Sequence, residues 1–324
     1  MHSEHSWNNR RNLLAVTGAL ALTIGLTACG GHQPAQPAPA SVHNEPTATP
    51  RAESPLPIGE FSSAPSWEEN FSVMHSRTLD PNVWRYELDP VVPTYNDEAQ
   101  AYTSSPANVR IEPSVGLVIE ARKEAYTYPG DTSGKHYEYT SGRIDTKNSF
   151  SFEYGKVVAR MKLPGGAGSW AAMWMLSANE VHTAKLHPTD ADWANERYYM
   201  KNGELDGMES YGKDSNEVPI EGTAHTFDNS NQGQLTVPDA TTAFHDYGVE
   251  LTPRKITWTV DGKPYYSVMK TSNDPNAWPF EGGNKFYPII NLAMGGSGGG
   301  TINKAAGTQR LTVSGIKYFP LTNK

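Results

Sequence analysis

The sequence predicts an all-β fold, a sandwich or a barrel, and three observations support it. The chain of 324 residues contains 29 Gly and 24 Pro, which favour turns over helix interiors. Its apolar runs are short, broken by turn residues, and often alternate with polar residues at the period of a β-strand. No long stretch has the 3.6-residue period of an amphipathic helix. The length that remains after the N-terminal segment suits one large domain better than two small ones.

The composition restricts the class of ligand. The chain carries 27 Lys and Arg against 35 Asp and Glu, a net charge of −8. Because phosphate contacts need a basic surface, we expect no nucleic-acid partner, and a neutral or weakly charged substrate fits better. The 8 Trp and 16 Tyr together outnumber the 9 Phe. Such amphipathic rings suit a wet groove that stacks sugar faces, but they equally fill β-sandwich cores.

The N-terminal segment has the pattern of an export signal. Arg10 and Arg11 precede an uncharged apolar run over residues 13–28, which is too short to span a bilayer comfortably. The run ends at Cys29, the only cysteine, in a context that resembles a bacterial lipoprotein box. We therefore predict a lipoprotein signal peptide over residues 1–28 and lipidation of Cys29. The alternatives are a plain cleaved signal and a buried thiol, and a lone cysteine excludes intrachain disulfides.

A proline-rich stretch follows this cysteine. Residues 30–57 contain seven prolines, with Ala, Thr, Ser and Gln, and no aromatic residue. Since such a composition cannot bury a core, residues 29–60 are predicted to form a disordered or extended tether. The folded domain is predicted to span residues 61–324. The lipid on Cys29 would hold it at the outer face of a bacterial cell membrane, or at the outer membrane.

Alternating segments predict the strands of the domain. Residues 108–121 indicate two short strands, and residues 155–163 place Val, Ala, Met and Leu on one face. Residues 255–260 alternate as far as Asp261-Gly262, which is a strong signal for a hairpin turn. Two late strands are predicted over residues 287–293 and 311–319.

Two tryptophans mark another predicted strand over residues 170–176. Trp170, Ala172 and Trp174 share one face, and the small Ala leaves space for something flat to lie on the two rings. A stripe of core side chains is the competing interpretation. A polar segment, residues 177–203, follows this strand, and long loops in such a place are often functional rims or lids.

The sequence Gly-Glu-Leu-Asp-Gly-Met-Glu places three carboxylates within six residues. On a regular strand Glu204 and Asp206 face one way and Glu209 faces the other. A one-residue bulge at Gly207 or Met208 would bring all three to one face, and bulges are frequent beside active sites. Crowded carboxylates raise each other's proton affinity, so one stays protonated while a neighbour is ionised. A glycosidase needs that division of roles, whereas spacing alone also allows a solvated acidic surface.

Nine segments of the chain occur in the order typical of one enzyme family. On these segments, which extend from about residue 67 to residue 319, the chain resembles glycoside hydrolase family 16 in its laminarinase-like branch. The resemblance implies a concanavalin-like jelly roll, in which two packed antiparallel sheets form a sandwich with a concave substrate cleft. The segments are residues 139–143, 154–164, 168–176, 203–209, 222–225, 244–247, 260–262, 278–280 and 290–296.

The resemblance assigns a role to each carboxylate. Glu204 looks like the nucleophile, Asp206 like the residue that tunes it, and Glu209 like the general acid/base. These roles imply a retaining, double-displacement hydrolysis with the two glutamates about 5–5.5 Å apart. Because a concave sheet face is an open groove, the expected cut lies inside a polysaccharide chain rather than at its end.

The resemblance also implies contacts with substrate. Trp170 and Trp174 match positions that line the sugar subsites. His225 and Asn291 belong to motifs on neighbouring cleft strands and are predicted to hydrogen-bond a carboxylate or a sugar. A purely structural role is the alternative for these last two residues.

Three departures from the family pattern modify these expectations. The segment 177–203 is longer than usual, which predicts reshaped subsites beside the acid/base. Residues 297–300 are Ser-Gly-Gly-Gly without the aromatic residue often found there, which predicts a flexible rim. Ser314 and Gly315 replace the Asp with which many relatives hold a structural calcium ion, so no metal is predicted.

The expected function is endo-hydrolysis of a β-linked polysaccharide, with β-1,3-glucan as the leading substrate. The alternatives are a family 16 enzyme for β-galactan, agar or mixed-linkage glucan, a transglycosylase, and a non-catalytic lectin on the same fold. Retention of all three carboxylates argues against the lectin. We expect no cofactor and a monomer, whose partners are the polysaccharide and, through Cys29, the membrane.

Overall fold

The computed structural model describes residues 59–88, 95–131, 134–179, 202–305 and 307–322. The predicted signal peptide, the cysteine predicted to be lipidated and all but the end of the predicted tether lie outside these residues. So does most of the predicted loop after the tryptophan strand. No helix within the described ranges has the length and apolar character that crossing a membrane requires.

The described part of the chain is built from strands, as the sequence predicts. Two 3₁₀ turns, at Phe71–Val73 and Tyr95–Asp97, and one helical turn, α1 at Gly296–Gly299, accompany them. The strands are β1 Trp67–Glu69, β2 Arg85–Tyr86, β3 Gln100–Tyr102, β4 Val109–Glu112, β5 Gly116–Tyr126, β6 Tyr137–Ser141, β7 Arg143–Asp145, β8 Gly155–Lys162, β9 Ser169–Ser177, β10 Glu204–Tyr211, β11 Val218–His225, β12 Ser230–Val237, β13 His245–Leu251, β14 Lys255–Val260, β15 Lys263–Met269, β16 Phe286–Met294 and β17 Gln309–Pro320.

Two sheets form a sandwich, which confirms the predicted all-β jelly roll. The larger sheet has the order β15-β14-β13-β8-β17-β5-β6-β3, with β1 beside β17 and β4 beside β5. The smaller sheet has the order β12-β11-β10-β9-β16-β7-β2. Neighbouring strands are antiparallel except at one edge, where β3 runs parallel to β6. The carboxylate strand β10 therefore lies inside the smaller sheet, between β9 and β11.

Alternation in the sequence decides which side chains enter the space between the sheets. On β8, Val157, Ala159 and Met161 are fully buried, while Arg160 between them is exposed. Burying a Val or Met side chain contributes roughly 1.5–3 kcal/mol. The predicted hairpin turn is also present, since Asp261 and Gly262 have φ angles of 50° and 72°. Two consecutive residues with positive φ are what a type I′ turn requires.

Candidate active site

The outer face of the smaller sheet, which points away from the core, carries all seven residues predicted to act on a sugar chain. Directly opposed residues on neighbouring strands share a face, and the pairing of β9, β10, β11 and β16 follows this rule. Five of the seven side chains are partly exposed, and two are buried. They are Trp170 and Trp174 on β9, Glu204, Asp206 and Glu209 on β10, His225 on β11, and Asn291 on β16.

The predicted bulge interrupts β10 between the second and third carboxylates. Asp206 pairs with Trp174 and Met208 pairs with Met173, so Gly207 is the extra residue. Met208 is fully buried in the core as a result. Glu209 returns to the outer face, where it lies opposite the alanine between the two tryptophans. The parity argument from the sequence is thereby confirmed.

A tryptophan of the larger sheet supports the bulge from the core side. Nε1 of Trp258 donates a 2.7 Å hydrogen bond to the backbone carbonyl of Asp206. The fully buried indole reaches this carbonyl because Gly222 on β11 has no side chain, and a Cβ there would lie 2.2 Å from Cδ1 of Trp258. Unpaired backbone groups are expensive to bury, so this bond stabilises the irregular strand.

Polar contacts connect the three carboxylates to their neighbours. Asp206 is only 3% exposed, and its Oδ2 lies 2.9 Å from Nε2 of His225. An oxygen of Glu204 lies within 4.8 Å of an oxygen of Asp206. Oε1 of Glu209 accepts a 2.9 Å bond from Nε1 of Trp170. His225 thus orients the central carboxylate, as one of its predicted roles requires.

Burial and mutual repulsion shift the proton affinities of the two glutamates upward. Burial, followed by the negative charge of Asp206, raises the pKa of Glu204 to about 7. The same two causes raise the pKa of Glu209 well above its usual value. The positive charges of His225 and Arg143 act on Glu204 in the opposite direction. The site can therefore hold a protonated carboxyl group near neutral pH.

His225 is the cation that balances this acidic group. Burial by itself lowers the pKa of the imidazole, but the hydrogen bond to Asp206 and the surrounding carboxylates outweigh burial and raise it to about 10. Its Nδ1 lies 2.7 Å from Oγ of Ser230, so both ring nitrogens have partners. The ring is consequently held as an imidazolium beside Asp206 at neutral pH.

Trp174 and Asn291 form a second group on the same face. Nε1 of Trp174 donates to Oδ1 of Asn291 at 2.7 Å, and Nδ2 of Asn291 donates to Oη of Tyr102 at 3.0 Å. The guanidinium of Arg143 lies 4.7 Å from the centre of the Trp174 ring, and its Nε lies 2.8 Å from Glu87. Asn291 therefore fixes the orientation of a tryptophan rather than that of a carboxylate.

Comparison with known proteins identifies the family. The sequence profile of the glycosyl hydrolases family 16 matches residues 96–311, a range that includes all seven outer-face residues. The chain belongs to the glycosyl hydrolases family 16. It is 36% identical over 272 residues to the beta-glucanase of Rhodothermus marinus, and the match covers 79% of this chain and 86% of that protein.

Solved structures of family 16 proteins share the fold. The laminarinase from Rhodothermus marinus is similar with a TM-score of 0.67 and 30% identity over 82% of this chain and 99% of the other. SCLam, a non-specific endo-beta-1,3(4)-glucanase, is similar with a TM-score of 0.68 and 28% identity, over 82% and 98% of the two chains. These comparisons confirm the predicted class of enzyme, a glycoside hydrolase of the endo-β-glucanase type.

The environment of Trp170 differs from the simple sugar platform that the sequence suggests. A Cβ on Gly298 would lie 2.4 Å from the indole ring, so the glycine-rich turn α1 packs directly against this ring. The ring of Tyr211 lies 6.5 Å away at a tilt of 32°. Because its Nε1 donates a hydrogen bond to Glu209, Trp170 positions that carboxyl group. The backbone of α1 packs against the ring and holds it in place.

Sequence reasoning missed several residues of this family 16 site. Arg143 lies in one of the nine segments but received no role, and Tyr102 lies outside all of them. Tyr211 follows Glu209 by two positions and shares its face, so the alternation rule would have found it. Glu221 and Trp258 had no such signal, because only strand pairing and sheet packing bring them to β10.

One set of side chains in the described residues has the composition of a metal site. Glu204, Asp206 and His225 bring ligand atoms within 4.8 Å of one another. The ion pair between His225 and Asp206 and the pairing of β10 with β11 account for their proximity. We therefore assign no metal to them.

Proposed function

We propose that this family 16 domain hydrolyses β-1,3-glucan at internal linkages by a retaining, double-displacement mechanism. One observation carries the proposal: the bulge at Gly207 turns Glu204, Asp206 and Glu209 to a single face of one strand. Two of these groups remain accessible, and the third is buried between them. Retaining glycosidases need such a pair of carboxyl groups about 5–5.5 Å apart.

In the first step, Glu204 acts as the nucleophile. One of its carboxylate oxygens forms a bond to the anomeric carbon while the glycosidic C–O bond breaks. Glu209 transfers its proton to the departing oxygen, so the leaving chain departs as a neutral alcohol. The products of this step are a glycosyl ester on Glu204 and an ionised Glu209.

In the second step, Glu209 acts as the base. It takes a proton from water as the water oxygen bonds to the anomeric carbon, and the ester bond to Glu204 breaks. Two inversions at the same carbon give net retention. An acceptor sugar in place of water would give transglycosylation by the same chemistry.

Asp206 and His225 prepare the nucleophile for these steps. Asp206 lies beside the nucleophile on the same face of β10, and the imidazolium of His225 compensates its negative charge. Arg143 adds a further positive charge that favours the ionised form of Glu204. Both cations thus oppose the effect of burial, which would otherwise keep the nucleophile protonated.

The choice of β-1,3-glucan rests on the relatives. A laminarinase and a beta-glucanase of Rhodothermus marinus are among the similar proteins, and SCLam is described as a non-specific endo-beta-1,3(4)-glucanase. We therefore propose mixed-linkage β-1,3(4)-glucan as a second substrate. Sugar-ring stacking beside Trp174 suits either polymer, because the equatorial hydroxyls of glucose leave apolar faces.

The first test measures release of reducing ends from laminarin, lichenan, agarose and galactan. We expect laminarin to be cut fastest and Glu204→Gln and Glu209→Gln to lower the rate by about 10²–10⁴-fold, because each removes a group that changes protonation or bonding in the reaction. Glu138→Gln is the matched control, since this exposed glutamate lies on β6 in the other sheet. Full activity in both site variants would refute the catalytic assignment.

The two glutamates are distinguished with azide. Azide attacks the glycosyl ester in Glu209→Ala and should yield a β-glycosyl azide, whereas in Glu204→Ala it replaces the nucleophile and should yield the α-azide. NMR of the first hydrolysis product should show the β-anomer. Initial formation of the α-anomer would exclude a nucleophilic role for Glu204. Binding without cleavage by the wild type would favour the lectin alternative.

We propose further that Cys29 anchors the domain to a bacterial membrane. The proposal is supported by the apolar run over residues 13–28 and by the proline-rich segment that follows the cysteine. Fractionation of expressing cells should find the wild type with membranes and Cys29→Ser in the soluble fraction, both with equal glucanase activity. Equal membrane retention would contradict the anchor. Light scattering on the soluble form should give the mass of a monomer.

A further inference from the structure

A tyrosine and a fourth carboxylate extend the acidic site along the outer face. Tyr211 ends β10 two residues beyond Glu209, on the same face. Glu221 on β11 lies directly opposite Glu209 and is 8% exposed. Neither residue has a part in the mechanism described so far.

The hydroxyl of Tyr211 lies between the two carboxyl groups. It is 3.5 Å from Oε2 of Glu209 and 3.4 Å from Oε1 of Glu221. A phenol has one O–H, so Tyr211 donates to only one of these oxygens at a time. Rotation about the C–O bond changes the acceptor without moving a heavy atom.

Glu221 is held by the neighbouring strand. Its Oε2 accepts hydrogen bonds from Nε2 of Gln232 at 3.0 Å and Nε2 of Gln234 at 2.6 Å. Oγ1 of Thr223 lies 3.4 Å from Oε1, the oxygen that faces Tyr211. Two side-chain amides of β12 therefore fix this carboxyl group as a stationary acceptor for the phenol.

Glu209 has a donor for each of its oxygens in this arrangement. Trp170 donates to Oε1, and the Tyr211 hydroxyl is the donor that faces Oε2. The other titratable groups that act on Glu209 are Asp206 and Glu204 on its own strand and His225 on β11. None of these three reaches Oε2 with a hydrogen bond in the described structure.

We propose that Tyr211 is a positioning residue for the acid/base Glu209, with Glu221 as its alternative acceptor. When Glu209 is ionised, Tyr211 donates to its Oε2. When Glu209 carries the proton, the phenol turns its O–H toward Glu221, and the proton of Glu209 stays available to the glycosidic oxygen. No proton passes through Tyr211, and Glu209 keeps one orientation in both steps. This inference rests on the proposed role of Glu209.

The test compares Tyr211→Phe and Glu221→Gln in the pH dependence of kcat/KM on the polymer that the wild type cuts fastest. The basic limb reports the ionisation of Glu209 in the free enzyme. Tyr211→Phe removes a donor to the ionised form, so this limb should move up by about one pH unit. Glu221→Gln removes a like charge and leaves the phenol to Glu209, so the limb should move down.

The two substitutions should move the basic limb of the pH profile in opposite directions. A purely structural role of Tyr211 would leave this limb in place. Tyr126→Phe, on β5 of the other sheet, is the control and should leave the profile unchanged. Thermal unfolding of each variant verifies its fold, and Glu221→Gln preserves the shape of its side chain. A changed KM with an unmoved limb in both variants would overturn the proposal.

The experiments distinguish the positioning role of Tyr211 from the catalytic roles of Glu204 and Glu209. If Glu204→Gln and Glu209→Gln are inactive while both new variants keep the wild-type limb, only the role of Tyr211 is refuted. If Glu209→Gln retains full activity, the acid/base assignment itself is wrong, and the positioning role fails with it.

Discussion

At the scale of single residues, the site depends on Asp206, a carboxylate that never contacts the scissile bond in the proposed mechanism. It is almost fully buried, and it is a cause of the raised pKa of both Glu204 and Glu209. Burying an ion costs several kcal/mol unless a partner compensates it, and His225 is that partner. The protonation states of Glu204, Glu209 and His225 are therefore coupled through one residue.

Asp206→Asn should change both the pKa of Glu204 and the rate at the pH optimum. Because the substitution removes a negative charge beside Glu204, the pKa of the nucleophile should fall from about 7, and the acidic limb of kcat/KM should move to lower pH. The rate at the optimum should fall by about 10²-fold, since the ion pair between His225 and the carboxylate beside Glu204 is lost. The measurement is the full pH–rate profile. Asp246→Asn, at a partly exposed carboxylate on β13 in the other sheet, is the control. An unmoved acidic limb in Asp206→Asn would contradict the assignment.

At the scale of elements, one extra residue in β10 decides whether the strand carries a catalytic face. Without the bulge, Glu209 would point into the core in place of Met208, which is fully buried there. The irregular backbone is stabilised by Trp258 of the opposite sheet, which donates to the carbonyl of Asp206. Packing between the sheets is thus part of the catalytic geometry.

Trp258→Phe should weaken both the fold and the activity. It leaves the buried carbonyl of Asp206 without its donor, at a cost of about 1–3 kcal/mol in the free energy of unfolding, and it loosens the bulge. Trp278→Phe is a matched control, because Nε1 of this buried tryptophan has no hydrogen-bond partner among the described residues. Denaturant unfolding and kcat measure the two effects. Equal losses of kcat in both variants would show that the bond to Asp206 has no special role.

At the scale of the whole molecule, the ionised carboxylates of the site lower the stability of the folded protein, and the rest of the sandwich compensates for this loss. The folded state raises the pKa of Glu204 from 4.5 to about 7, so it binds more protons than the unfolded chain in that window. Stability from this group is present at low pH and is lost as pH rises through about 7. The raised pKa of His225 acts in the same direction, since its contribution is complete below 6.5 and is lost through about 10.

Glu204→Gln should therefore be more stable than the wild type at pH 8, because glutamine carries no buried charge. The melting temperature should rise by several degrees at pH 8, and the difference should vanish near pH 4.5. Differential scanning calorimetry at the two pH values measures this. Glu138→Gln, at an exposed position, should shift neither value. A variant that is destabilised equally at both pH values would contradict the raised pKa of Glu204.

Much of this molecule follows from local pattern. Alternation predicted β8, β9, β14, β16 and β17, and Asp261-Gly262 predicted the hairpin turn, because side-chain period and positive φ are properties of a few adjacent residues. The parity of the three carboxylates likewise required a bulge, since Glu204 and Glu209 are an odd number of positions apart. The family resemblance then predicted the jelly roll and the enzyme class.

Tertiary structure alone decided which groups meet. Glu221 reaches Tyr211 through the register of β10 and β11, and Gln232 and Gln234 reach Glu221 through the register of β11 and β12. Trp258 reaches the bulge from the other sheet. The tertiary structure also places Nε1 of Trp170 against Glu209 and Nε1 of Trp174 against Asn291, each in a hydrogen bond between neighbouring strands. Local sequence determines the face on which a side chain lies. Its partners across strands and sheets, and through them its proton affinity, depend on contacts between segments far apart in the chain.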